Sequence, residues 1–384
     1  MMPIAGQLRA GLPFPNQLKL PPFRRFRSQF GNIHKKQNPV VSSQRQQQQC
    51  CNETPTMQTT KLWEDIVETY DKAQAAQAST ITDTSTDVYV DNDVPFILKI
   101  ASVLRDKPKG SLPTNNDSHN SSNSPKLKKD WRNPFLPPDK DLFVCHLSST
   151  HSLVLNKFNI VPYHALVITR EFVPQEEPLT AADFSATWQV LTAMPRGGLS
   201  YFNRGPVSGA SQPHKHMQIV PLPLNSSLLN SGNGDVLLQD PPFWPAIAET
   251  TAGKPTWSAG VTSVSRFPFA NFVARIDSTA SVSDAGEMLA KTHATLVDLA
   301  FKAATMNIKS FPQAAEVDVS NFSYNTIATK EFIMVVPRSK EGSGPLNCNA
   351  MAFAGSFFVR GADELAFIKE KGPFEILKDV GVVP

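Results

Sequence analysis

The chain has 384 residues, 41% hydrophobic and 18% charged, an ordinary globular balance that excludes a disordered, collagenous or disulfide-caged protein. No run approaches the ~18 consecutive apolar residues of a membrane span, and the four cysteines (Cys50, Cys51, Cys145, Cys348) contain no Cys-x-x-Cys pair, which excludes the common zinc-ribbon spacing and gives no sign of a secreted disulfide framework. The net charge of +3 averages two regions: residues 1–52 hold eight basic side chains and no acid, leaving 29 Lys+Arg against 34 Asp+Glu, a balance of −5, in the rest; a general nucleic-acid binder needs a basic surface and is excluded.

In chain order, residues 1–55 are basic and rich in Pro and Gln, ending in Gln46–Gln49. They read as an organellar transit peptide, mitochondrial or plastid, slightly ahead of a disordered tail on a cytoplasmic protein. Leu62, Ile66, Val67 and Tyr70 recur at helical spacing, so 61–78 is expected to be an amphipathic helix. Val94–Ile100 reads as a strand and 107–129, rich in Gly, Pro, Asn and Ser, as a long exposed loop. Strands are expected at 142–147, 152–155 and 165–169, followed by a helix capped by Thr180 with Phe184, Trp188 and Leu191 on one face. Two more strands, 198–203 and 216–222, flank a Gly/Ser/His segment. A long helix at 283–307 carries Met288, Leu289, Leu296, Val297 and Phe301, strands follow at 331–336 and 350–359, and helices at 363–370 and 375–379 close the chain. The order is mixed α+β, without regular βαβ alternation.

The chemistry concentrates in Ser208-Gly209-Ala210-Ser211-Gln212-Pro213-His214-Lys215-His216-Met217-Gln218. The small residues make a loop in which backbone N–H groups can approach an anion and hydroxyls can donate. On a strand, alternation puts His214, His216 and Gln218 on one face at the mouth of that loop. A neutral imidazole can attack phosphorus and split one displacement into two, its other nitrogen held by a carbonyl or a neighbouring His. A Gln amide can donate to a phosphate oxygen without adding charge. His-x-His is also a metal-ligand pattern, but no Cys or acidic cluster joins it and Lys215 would oppose a cation if it pointed inward. Two plain core histidines are the other alternative, and the preceding Ser/Gly loop weighs against it.

This eleven-residue stretch closely resembles the active-site signature of the ATP adenylyltransferases, or diadenosine tetraphosphate phosphorylases, in the branch of the histidine-triad superfamily that includes galactose-1-phosphate uridylyltransferase and has Gln in place of the third His. The resemblance extends over roughly 60–384, through Asn133–Pro137, Leu155–Phe158, Pro162–Thr169, Gln175–Leu179, Phe202–Gly205, Ser323–Asn325, Phe332–Ser339 and Ala354–Ser356. It implies an α+β fold built on an antiparallel sheet of histidine-triad type with flanking helices, an N-terminal catalytic part over 56–260 and a C-terminal part over 261–384 that completes the nucleotide site. It implies His216 as the nucleophile, with His214 and Gln218 in support. Asn203, Gly209, Ala210, Ser211 and Gln212 would hold phosphate, Asn156 and Lys157 would contact substrate, and Lys107 would be an upstream basic contact. Asn325, Met334 and Arg338 would touch nucleotide from the C-terminal part.

The implied reaction is phosphorolysis of diadenosine tetraphosphate to ATP and ADP, and its reverse. The partners are then a dinucleoside polyphosphate, ATP, ADP and phosphate, with neither nucleic acid nor membrane. No tightly bound cofactor or protein-held metal is implied, though a divalent cation such as Mg would suit the polyphosphate. Two rival readings are a nucleotidyltransferase with a sugar phosphate or sulfate as acceptor, and a non-catalytic nucleotide-binding protein.

Overall fold

The computed structural model describes residues 55–101, 131–224, 241–308 and 322–384. The expected transit peptide and the expected loop at 107–129, with Lys107, lie outside the described residues. Helix α1 (Pro55–Ala75) leads into β1 (Thr80–Ile81), β2 (Thr84–Asp91) and β3 (Val94–Ala101). Then come β4 (Phe143–His146), β5 (His151–Leu155), β6 (Phe158–Asn159), β7 (Ala165–Thr169), α2 (Ala181–Ala193), β8 (Gly198–Arg204) and β9 (His216–Pro221). The C-terminal half contains α3 (Trp244–Thr251), β10 (Phe272–Arg275), α4 (Val282–Ile308), β11 (Tyr324–Ala328), β12 (Phe332–Pro337), β13 (Gly342–Ser343), β14 (Leu346–Asn347), β15 (Ser356–Val359), α5 (Ala362–Lys371) and α6 (Pro373–Val380).

Eight strands form the central sheet in the order β10-β12-β11-β8-β9-β7-β5-β4, each neighbour antiparallel to the next. Strands from both sides of position 260 therefore share one sheet, and β8 meets β11 at its middle through Asn325↔Asn203 and Thr326↔Phe202. A second sheet, β15-β3-β2, mixes a parallel pair with an antiparallel one. The class is α+β, with mixed sheets and flanking helices.

Period-2 alternation gives the central sheet two apolar faces. Met217 and Ile219 of β9 join Phe202, Val167, Phe184, Trp188 and Leu296 in a core beneath α2 and α4. Val220 points the other way, with Leu199 and Tyr201, into a core that includes Phe96, Phe243, Phe353 and Phe374. Burying so many large side chains, at roughly 25 cal/mol per Å² of apolar surface, is what holds the layers together. Helix α2 starts where its sequence says it should: Thr180 and Asp183 form a reciprocal capping box.

Several elements differ from the expectation, among them α3, β10 and β11, which were not expected. The strand expected over 350–359 is a 3-10 turn at Ala352–Ala354 followed by β15. Gly355 breaks the run with φ 86°, and a Cβ there would lie 2.7 Å from Pro242. Strand β2 was not expected; its Val88 and Val90 share one face but stay exposed, and its eight residues pair along the whole of β3, so the neighbour's hydrogen bonds specify it rather than burial.

Candidate active site

His216 and Gln218 lie on one face of β9, an interior strand. Lys215 lies on the other, its Nζ 2.9 Å from Asp183 Oδ2 and 2.7 Å from the Pro178 carbonyl. Asp183 also meets His151 Nε2 at 2.8 Å. Burial alone would raise the Asp183 pKa, but the His151 hydrogen bond and the Lys215 charge outweigh it and hold the carboxyl at about 2. The buried ion pair thus pins β9 to the first turn of α2 from behind, and removes the cationic side chain from the face that carries His216.

His216 Nδ1 lies 2.8 Å from the His214 carbonyl. A carbonyl only accepts, so the neutral ring carries its proton on Nδ1 and leaves the Nε2 lone pair free. Burial is the main reason that the His216 pKa falls to about 4, so the ring is neutral near pH 7. Its partner His214 is also fully buried; its Nε2 lies 2.9 Å from the Thr169 carbonyl and its Nδ1 2.9 Å from Asn133 Nδ2. Phe135 packs against both imidazoles, with ring centroids 5.5 Å from each.

A side chain props the two central strands apart beside His216. The β8–β9 ladder runs from Gly198↔Pro221 to Tyr201↔Gln218. Beyond it the Gln175 amide is inserted: its Oε1 accepts from His216 N at 2.9 Å, and its Nε2 donates to the Asn203 carbonyl at 2.9 Å. The ladder is thereby continued through a side chain, and both buried backbone groups stay paired. Asn203 Oδ1 accepts from Asn325 Nδ2 and Ala350 N. Its Nδ2 is buried with no partner among the described residues, a free donor on the His216 side of the sheet.

The Gly/Ser loop is braced from below. Asn325 Nδ2 and Arg338 Nη1 both donate to the Ser208 carbonyl, and Arg338 Nη1 donates to Asn325 Oδ1 at 2.7 Å. The remaining Arg338 nitrogens reach the carbonyls of Val380, Lys340 and Glu341, so every donor of this guanidinium is spent on the protein. Ser208 is buried and donates to the Gly205 carbonyl. Gly209 takes φ 83° and sits where a Cβ would meet the Cys348 carbonyl at 2.9 Å. Ala210 and Ser211 beyond it are exposed, with backbone and hydroxyl open to a ligand. Gln212 Oε1 accepts from Trp131 Nε1 at 3.2 Å.

His214, His216, Gln218 and the loop are thus brought together as expected from their spacing, and Asn203, implied by the resemblance, lies beside them. Asn325 and Arg338 are buried braces of the loop. Met334, implied by the resemblance as a nucleotide contact, has no exposure and lies instead in the apolar core with Phe332 and Val336. Asn156 spends its Nδ2 on Phe158 O and His164 Nδ1, and Lys157 is exposed. Gln175, His164 and Asn133 fall within segments that carry the resemblance, but nothing local assigns a role to them or to Tyr201, because each acts through a partner distant in sequence. Among the described residues no group of three or more His, Cys, Asp or Glu is arranged to hold a metal ion.

Two family models match the chain: the Ap4A phosphorylase N-terminal domain over residues 52–232 and the ATP adenylyltransferase C-terminal domain over 265–383. The chain is 29% identical over 256 residues to diadenosine 5',5'''-P1,P4-tetraphosphate phosphorylase 2 of Saccharomyces cerevisiae, covering 62% of this chain and 71% of that one. It is 26% identical over 323 residues to Protein APA1 of the same yeast, covering 79% and 92%. The fold resembles the crystal structure of yeast Ap4A phosphorylase Apa2 in complex with AMP, with a TM-score of 0.62, 25% identity and coverage of 84% of this chain and 96% of that one. Both halves of the sheet that carries the histidine site are matched, and the chain belongs to the Ap4A phosphorylase / ATP adenylyltransferase family.

Proposed function

We propose that the chain catalyses phosphorolysis of diadenosine tetraphosphate, and the reverse reaction, through an adenylylated His216. The observation that carries this reading is the state of His216: a buried, neutral ring whose Nδ1 is committed to a carbonyl and whose Nε2 is free. The family and the yeast relatives named above support the choice of substrate. In the first step His216 Nε2 bonds to the α-phosphorus as the bridging P–O bond to the ATP portion breaks, and ATP leaves. In the second, a phosphate oxygen bonds to the same phosphorus, the N–P bond breaks and ADP leaves. Two in-line displacements give overall retention at that phosphorus.

Charge developing on the phosphoryl oxygens meets the positioned Asn203 and Gln218 amides and the loop N–H groups, with the exposed Ser211 hydroxyl and Lys157 ammonium as further donors. The polyphosphate leaving group is anionic, so it needs little help from a general acid, consistent with Gln rather than His at position 218. A divalent cation would enter with the polyphosphate as part of the substrate. The antiparallel sheet with His-x-His-x-Gln on an interior strand supports the finer assignment to the histidine-triad type. The basic leader, acid-free over residues 1–52, supports import into a mitochondrion or plastid, tested by following residues 1–55 fused to a fluorescent protein.

Product analysis tests the reaction. Enzyme given diadenosine tetraphosphate with phosphate, sulfate or a sugar phosphate is expected to form ATP and ADP with phosphate. Discharge by sulfate or sugar phosphate in preference would make it a different transferase. Absence of turnover with every acceptor would leave a binding protein.

A further inference from the structure

Gln218 can serve an anionic phosphate only if its amide nitrogen, and not its oxygen, faces the ligand. Both orientations have the same shape, so something must choose between them. The choice can be traced along a row of hydrogen bonds that begins at one carbonyl. Phe158 O can only accept, so the amide atom of Asn156 that lies 2.7 Å from it is the Nδ2 donor. The same nitrogen lies 3.1 Å from His164 Nδ1 and supplies its second hydrogen, so Nδ1 accepts. Burial pushes the His164 pKa down to about 4, with a smaller push from His216 when that ring is protonated and a partial offset from a hydrogen bond to Gln218, and the neutral ring then carries its proton on Nε2.

His164 Nε2–H lies 3.3 Å from Tyr201 Oη and donates to it. Burial pushes the Tyr201 phenol well above its ordinary pKa, so it stays protonated. Its own O–H goes to Gln218 Oε1 at 2.9 Å. With Oε1 held, Gln218 keeps both Nε2 hydrogens, which have no acceptor among the described residues, on a side chain that is only half-buried. A turned amide would point N–H at Tyr201, whose oxygen already accepts from His164 and whose buried O–H would then have nowhere to go.

We infer that Asn156, His164 and Tyr201 form a one-way hydrogen-bond relay that locks Gln218 with its N–H groups toward the phosphate. His164 and Tyr201 are positioning residues that act through Gln218, and the inference rests on the phosphoryl-transfer reading of the site. Asn156, implied by resemblance as a substrate contact, is the donor that sets the direction of the relay. Without it a freely turning amide would present its carbonyl oxygen to an oxyanion part of the time, a repulsive contact.

A double-mutant cycle on the full chain tests this. Tyr201→Phe keeps the ring in its apolar core and removes only the relay's last donor. It is expected to lower kcat for diadenosine tetraphosphate phosphorolysis by roughly 10-fold, with KM changing less, and to have no further effect in a Gln218→Ala background. Equal losses in both backgrounds, or a Tyr201→Phe variant with unchanged kcat, would overturn the relay. Nuclear magnetic resonance supplies a readout that needs no turnover. The Gln218 side-chain amide signals, assigned by their loss in Gln218→Ala, are expected to shift in Tyr201→Phe, and the His164 ring nitrogens to show the Nε2–H tautomer. An Nδ1–H tautomer, or Gln218 signals indifferent to Tyr201, refutes the relay even where residual activity is too low to measure. A wild type with the expected tautomer but no phosphorolysis would instead refute the proposed reaction and leave the relay standing.

Discussion

Replacing Gln175 is expected to damage the site from the position where the two central strands part. Gln175→Leu nearly conserves volume and removes both ends of the inserted amide. His216 N loses its acceptor and the Asn203 carbonyl loses its donor, each now 2.9 Å from Gln175 and lying where water has little access, since Gln175 is 1% exposed. An unmatched buried polar group costs about 1–3 kcal/mol, so two cost on the order of 2–6 kcal/mol. At about 2–4 °C per kcal/mol for a chain of this order of size, Tm should fall by roughly 5–20 °C. The strands have one escape, which is to close and pair His216 N with the Asn203 carbonyl directly. That would keep Tm but shift the imidazole, and a ~1 Å displacement at a reacting group costs about 100-fold in rate. Calorimetry and steady-state phosphorolysis on the same preparation read both quantities. Gln175→Glu, which keeps the acceptor and loses the donor, should fall between. A Gln175→Leu protein with wild-type Tm and wild-type kcat would refute the wedge.

Other substitutions and conditions make separate demands. His216→Ala should abolish adenylyl transfer with little loss of Tm, whereas His214→Ala should leave measurable turnover; a dead His214→Ala beside an active His216→Ala would reverse the assignment. Acid should inactivate by unfolding. The buried rings of His164 and His216 have pKa values of about 4, and that of His293 about 3, all below their ordinary 6.5, so the unfolded chain takes up protons that the folded one refuses. Their contribution is fully present above pH 6.5 and is lost as pH falls toward 4, at about 3 kcal/mol for each ring, against a typical total stability on the order of 5–15 kcal/mol. Circular dichroism and kcat/KM should therefore fall together and steeply below pH 6, and a one-proton activity limb near 6.5 in a fully folded enzyme would contradict the buried neutral His216. Removing residues 1–51 should leave kcat and Tm unchanged, and a large loss of either would show that this segment supports the catalytic unit.

What could be read from the sequence depended on how local each signal is. The alternation of His214, His216 and Gln218 needs only the period of a strand; β9 carries His216 and Gln218, and His214 lies just before it in an isolated bridge to Pro174. Thr180 caps α2 from the position next to its first turn, and the N-cap was legible for that reason, whereas the reciprocal bond from Asp183 emerges only in the fold. The amphipathic helix expected at 61–78 is α1, displaced to Pro55–Ala75, the ordinary uncertainty of helix ends. Strand β2 is specified by its neighbour, and the short Val88/Val90 alternation that it does carry is left exposed. The same limit hid the role of Gln175, which opens one of the resembling segments but whose partners lie 28 and 41 residues away. Arg338 shows it most clearly. An arginine near a nucleotide signature invites a phosphate contact, yet its surroundings are carbonyls gathered from the loop, from the segment around Cys348 and from the end of α6, none of them adjacent in sequence. Residues that brace a site are chosen by the tertiary fold, whereas residues that do its chemistry announce themselves by type and spacing.

The central claim is a covalent bond at one nitrogen. Enzyme mixed with diadenosine tetraphosphate without phosphate, quenched within the first turnover at alkaline pH to spare the N–P bond, and mapped by peptide mass spectrometry should carry one adenylyl group on the peptide containing His216. Phosphate added before the quench should discharge that group as ADP. Turnover to ATP and ADP with no adenylylated peptide at any time, or with the group on another residue, would contradict the account.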